Sequence, residues 1–82
     1  GIARYWNWVA AGRRMLISRD VLTIAETRQK LLEEGVREGQ LPRIEAEDNL
    51  RAILQRRSGY IDAERLFQQA AIELSLYLRD AN

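Results

Sequence analysis

Apolar residues recur at steps of three and four along nearly the whole chain, and one short stretch interrupts them: Glu38-Gly39-Gln40-Leu41-Pro42-Arg43-Ile44-Glu45. Before it, from Ile2 to Glu38, the only helix-weakening residues are Gly12 and Gly35, and neither is joined by a proline or a turn cluster. After it, from Arg43 to about Asp80, Gly59 is the single glycine and proline is absent. The pattern predicts an all-α fold, a long antiparallel two-helix coiled-coil hairpin with helices over about 2–38 and 43–80 and its tip at 39–43.

The interruption is local chemistry. A glycine just past a helix reaches the left-handed conformation that a C-terminal cap needs, which places the end of the first helix near Glu38. Pro42 has no amide to give a helix interior and pushes Leu41 out of the α region. In a first helical turn the missing donor costs nothing, so the second helix is expected to start at Pro42 or Arg43, with Glu45 and Glu47 near the positive end of its dipole. Each helix would then be roughly 50 Å long at ~1.5 Å per residue, beyond ordinary globular helices.

The first helix carries two neighbouring apolar stripes: Ile17, Val21, Ile24 and Leu31 on one, Leu22, Ala25, Leu32 and Val36 on the other. A helix with one partner needs a single seam, so two stripes predict neighbours on two sides. Arg28 and Gln29 interrupt the stripes, where polar residues usually fix register at some loss of stability. In the second helix a seam runs through Leu50, Ile53, Arg57, Tyr60, Glu64, Phe67, Ala71, Leu74 and Leu78, more than three heptads. Leu54, Ile61, Leu66, Ala70, Ile72, Leu76 and Tyr77 widen it. Arg57 and Glu64, inside that seam, are expected to snorkel or to pair with the first helix. Glu26 with Lys30 and Glu33 with Arg37 have the favourable acid-first spacing for exposed pairs. The alternation in Leu74-Ser75-Leu76-Tyr77-Leu78 leaves room for a short strand, but the helical period fits better, with Asp80-Ala81-Asn82 as the helix exit.

A two-helix layer leaves the outer stripes in water, so the apolar excess predicts association with further helices. For the chain by itself that means a homo-oligomer, a dimer making a four-helix bundle.

Composition removes several classes of function. With 82 residues the chain is one small domain, and without cysteine no disulfide can reinforce it. Histidine is absent too, which takes away the usual zinc sets and the imidazole base, so no catalytic, metal-ligating or cofactor-binding residues are expected. Basic and acidic residues number 13 and 12 and are interleaved, giving a net charge of +1 and no strong field for nucleic acid or an anionic membrane. No apolar run approaches a membrane span. Because the chain starts at Gly1 and both ends fall within helical-looking sequence, it reads as a fragment of a larger protein.

Near the start, Tyr5, Trp6 and Trp8 place three aromatics within four positions, and packing against neighbouring helices is the first expectation for them. Taken in order, Tyr5-Trp6-Asn7-Trp8-Val9-Ala10-Ala11, then Gly39-Gln40-Leu41-Pro42-Arg43-Ile44-Glu45, then Ala70-Ala71-Ile72-Glu73-Leu74-Ser75-Leu76-Tyr77-Leu78 resemble the periplasmic hairpins of the TolC-like outer-membrane efflux family. The likeness covers nearly the whole chain. It departs from the family's pattern at Gln40, where the family has leucine, and at Glu45, where it has aspartate.

The resemblance implies a trimeric parent protein in the outer membrane of a Gram-negative bacterium, with this segment in the periplasm as part of an α-helical tunnel for the export of small molecules or drugs. Membrane contact would come only through a barrel outside this segment. A periplasmic adaptor and an inner-membrane pump are the implied partners. Gly39, Gln40 and Leu41 become the adaptor-contact tip, Glu45 the acid on the side of the constriction, and Arg43 a partner for ion pairs between hairpins. The residues taken without the family leave a different class open, a generic antiparallel coiled-coil interaction module with no transport role.

Overall fold

A computed structural model of the protein describes residues 1–80, and it consists of two helices: α1, Ile2–Arg37, and α2, Arg43–Asp80. Gly12, Gly35 and Gly59 all lie inside helices, as their lack of accompanying turn residues requires. Glu38 is the C-cap of α1, one residue beyond its last helical position. Within the expected helix exit Asp80 is the last residue of α2, while Ala81 and Asn82 lie outside the described residues. The helical period wins over alternation at Leu74 to Leu78, which stay in α2.

The turn is built almost entirely from backbone. Gly39 has φ +76°, its N–H donates to the Val36 carbonyl at 3.0 Å, and the Gln40 N–H donates to the Gly35 carbonyl at 2.8 Å. These two bonds form the Schellman arrangement that satisfies the last carbonyls of a helix. Leu41 follows with a 3.1 Å bond from its own N–H to the same Gly35 carbonyl, and folds its side chain over Gly35. A Cβ on Gly35 would stand 2.6 Å from Leu41 Cδ1, so the leucine occupies the place a side chain would take. The chain then re-enters helix at Arg43, where the Glu45 N–H reaches the Pro42 carbonyl at 3.1 Å.

The two helices pack along their length into a rod 13 Å across in both directions. Two Cα cylinders of ~2.3 Å radius fit that width only with axes roughly 8 Å apart, the close end of the helix-packing range. Small residues permit it. The buried positions are Ala11, Ala25, Gln29 and Gly35 on α1 and Ala46, Ile53 and Ala70 on α2. Opposite Phe67, α1 presents Gly12, where a Cβ would come within 3.0 Å of Phe67 Cε1.

This moves the inner seam of α2 from the expected one. Its buried and half-buried positions are Ala46, Asn49, Ile53, Tyr60, Ala63, Phe67, Ala70, Leu74 and Tyr77, which share Ile53, Tyr60, Phe67 and Leu74 with the expected line, and Glu64 and Ala71 of that line are half-buried as well. Leu50 and Leu78, read as seam residues, are 47% and 55% exposed. On α1 the inner seam is the stripe through Leu22, Ala25, Leu32 and Val36, joined by Gln29, and Arg28 is exposed with Ile17, Ile24 and Leu31 of the other stripe, whose Val21 is half-buried. The physical reason is the short interaxial distance: alanine and glycine at the most buried positions allow closer approach than a row of leucines and isoleucines would, with large side chains such as Phe67 seated opposite a glycine.

Candidate functional site

At the tip, every residue from Arg37 to Glu45 is exposed to solvent. Gly39, Gln40 and Leu41 form the apex as a consequence of the cap. The left-handed glycine reverses the chain, Gln40 is left with its side chain on the outside, and Leu41 is held by Gly35 at 36% exposure. Pro42 and Ile44, the latter 50% exposed, add apolar surface beside it. Arg43 and Glu45 stand on the first turn of α2, and among the described residues neither forms an ion pair with the other or with anything else. The hairpin thus brings the five tip residues to one end of the rod but does not join the two charges.

Away from the tip the ion pairs differ from those expected by spacing. Glu26 turns from Lys30 to the opposite helix and meets Arg57 at 3.6 Å, while Arg37 pairs with Glu34 instead of Glu33. Arg57 therefore does find its partner on α1. Glu64 accepts a hydrogen bond from the Tyr60 hydroxyl at 3.4 Å on its own helix. Glu33 accepts from Gln29 Nε2 at 3.5 Å.

One polar contact was not visible in the sequence. Asn49 Nδ2 donates to the Ala25 carbonyl and to Gln29 Oε1, both at 2.9 Å, across the interface between the helices. Asn49 keeps step with Ala46 and Ile53, which was the available signal, but those three define a line one position away from the larger apolar residues.

At the open end, Trp8 stacks on Phe67 with ring centroids 6.1 Å apart, and the Arg4 guanidinium lies 5.3 Å above the Tyr77 ring. Trp6 and Tyr5 meet edge to face at 5.3 Å and are 57% and 48% exposed. Trp8 makes its ring contact across the two helices, while Tyr5 and Trp6 line a shallow groove with Leu74, Tyr77 and Leu78 of α2.

The largest feature is the exposed apolar surface along both flanks. Ile17, Ile24 and Leu31 are 63%, 68% and 69% exposed on α1, and Leu54 and Ile61 are 63% and 55% exposed on α2. Ile24 and Leu31 immediately precede the inner-seam residues Ala25 and Leu32, and Ile17 precedes the half-buried Ser18, while Leu50, Leu54, Ile61 and Leu78 on α2 each immediately follow an inner-seam residue. One residue is a rotation of ~100°. On antiparallel helices a residue before the seam and a residue after it therefore face opposite flanks. The shallow grooves agree: Arg14 and Ile17 line one with Asp62 and Leu66, whereas Leu50, Leu54 and Arg57 line another with Glu26 and Lys30.

Among the described residues no helix is long and apolar enough to cross a membrane, and no group of His, Cys, Asp or Glu side chains could hold a metal ion. Comparison with known proteins finds no matching family model, curated protein or solved structure.

Proposed function

We propose that this hairpin is a wall segment of an outer-membrane efflux duct of the TolC-like kind, lying in the periplasm, with its tip at the entrance. The observation that carries this reading is the placement of large aliphatic side chains on two opposite flanks of a hairpin whose internal seam is already closed by residues of its own two helices. A hairpin acting alone, or with one partner, has no use for two such flanks. A segment of a closed helical wall touches a neighbour on each side and needs both.

The tip supports the same reading. Its apolar apex of Leu41, Pro42 and Ile44 is surrounded by charges without internal partners, among them Arg43 and Glu45, so it is suited to contacts with another protein. In this proposal Gly39, Gln40 and Leu41 meet the periplasmic adaptor, and Arg43 and Glu45 link neighbouring tips. Opening is a passive change in how tips pack, driven by adaptor contact, and the segment does no chemistry of its own.

The test is made in the full-length parent protein with cysteines installed at Glu45. Oxidative cross-linking of neighbouring tips is expected to abolish efflux, and reduction to restore it. Unchanged efflux with the tips covalently locked would remove the gate role.

A further inference from the structure

We infer that Leu41 is the positioning residue of the tip: lodged against Gly35, it fixes how Gln40, Pro42 and Ile44 are presented, and its own contact with a partner is secondary to that. This deepens the proposed function by separating, within the tip, the residue that orients from those that touch, and it rests on that reading only for the nature of the partner.

The first argument is why a glycine stands at position 35. Among the described residues only Gly39 has a positive φ, so Gly35 keeps a helical backbone that any residue could adopt, inside α1, where alanine would favour the helix more strongly. What position 35 requires is room. Gly35 is buried, and a Cβ there would come within 2.6 Å of Leu41 Cδ1 and 3.0 Å of Leu41 Cγ.

The second argument is that backbone and side chain hold the same place. The Gly35 carbonyl accepts from the Gln40 N–H at 2.8 Å and from the Leu41 N–H at 3.1 Å, so the residue whose side chain covers Gly35 is also tied to it through the main chain. Leu41 is accordingly less exposed than Ile44, 36% against 50%, although it lies nearer the apex. Gln40, Pro42 and Ile44 on either side of it are exposed. A contact surface held in one arrangement binds without first having to be ordered.

The third argument is that the socket can be emptied and refilled with the turn in place. Rotation of Leu41 about χ1 carries Cγ and Cδ1 away from position 35 and leaves its Cβ, which would stand 3.6 Å from a Cβ at position 35, an ordinary contact. Gly35→Ala therefore expels the leucine side chain without forcing the backbone to move. Gly35→Ala combined with Leu41→Ala closes the gap again, Cβ against Cβ.

The test has two parts. In the 82-residue chain, amide hydrogen exchange at Gln40 and Leu41 is expected to be roughly three- to tenfold faster in Gly35→Ala and in Leu41→Ala, the effect of losing about one net hydrogen bond of stabilisation, and to return toward the original rate in the double variant. The unfolding midpoint of Gly35→Ala should stay close to that of the unsubstituted chain, because the helix preference of alanine offsets the lost packing. In cells that export ethidium through the full-length parent protein, each single change should slow dye efflux and the double change should restore it, although the leucine is gone. Unchanged exchange in both single variants would overturn the inference. So would a double variant that exports as slowly as Leu41→Ala alone, since Leu41 would then be a contact residue. The outcomes separate from those of the duct proposal: exchange that follows the stated pattern while no variant alters dye efflux supports the positioning of the apex and sinks the duct reading alone.

Discussion

Asn49 and Gln29 lock the two helices in register: the Asn49 amide donates one hydrogen to Gln29 Oε1 and the other to the Ala25 carbonyl, one turn further from the tip. Gln29 is 6% exposed, so its oxygen has little recourse to water. The Ala25 carbonyl is itself an acceptor in α1, and Asn49 uses its second lone pair. A slip of one residue would separate all three groups. The polar pair specifies alignment where alanines and glycines, being alike, specify it weakly.

Replacing Asn49 by Ala is accordingly expected to destabilise the hairpin by about 1–3 kcal/mol, because it strands the Gln29 oxygen in the interface. Asn49→Leu combined with Gln29→Leu should recover much of that loss, since both polar groups go together. The double variant should also populate more than one register. Denaturant unfolding measures the first effect, and cysteine cross-linking between neighbouring levels of the two helices measures the second.

The glycines should respond with opposite signs. Gly39→Ala forces a side chain onto φ +76° and is expected to cost about 1–2 kcal/mol, read as a lowered unfolding midpoint. Gly59→Ala meets no atom within 4 Å inside α2 and should stabilise by about 0.5–1 kcal/mol through helix propensity. Equal effects at the two positions would mean that the Schellman turn does not form.

Trp8 and Trp6 are neighbours in sequence with different surroundings, one stacked on Phe67 and the other 57% exposed. Acrylamide should therefore quench the Trp8→Phe variant, which retains Trp6, more strongly than the Trp6→Phe variant, which retains Trp8. Phe67→Ala should abolish the difference. It should also reduce stability, by less than the ~3 kcal/mol of a fully buried phenylalanine because Phe67 is only half-buried.

The cross-helix pair of Glu26 with Arg57 is half exposed on both sides, so its loss should be small. Glu26→Gln is expected to change stability by less than about 1 kcal/mol, and the change should shrink further in high salt. A double-mutant cycle with Arg57→Gln measures the coupling directly.

Much of this architecture was legible in the chain. Gly39 and Pro42 mark the reversal because the one reaches a conformation that residues with a side chain rarely adopt and the other cannot continue a helix, and both effects act within a few residues. Gln29 could be identified as a polar break in a stripe for the same local reason. The tip residues Gly39, Gln40, Leu41, Arg43 and Glu45 follow from the position of that turn. The Glu26 to Arg57 contact was half visible, since Arg57 stood out as a charge that needed α1, but nothing in the sequence named its partner.

What the sequence by itself determined is the helicity of both segments and the place where they fold back, since propensity and capping depend on near neighbours. Only the tertiary structure decided which of two adjacent stripes faces inward. Seams one residue apart differ by a rotation of ~100°, and hydrophobicity favours the one rich in leucine and isoleucine. The opposing helix favours the one rich in Ala11, Gly12, Ala25, Ala46 and Ala70, because backbones approach most closely where side chains are smallest, and so Ile24 and Leu54 are left facing outward on opposite sides of the rod.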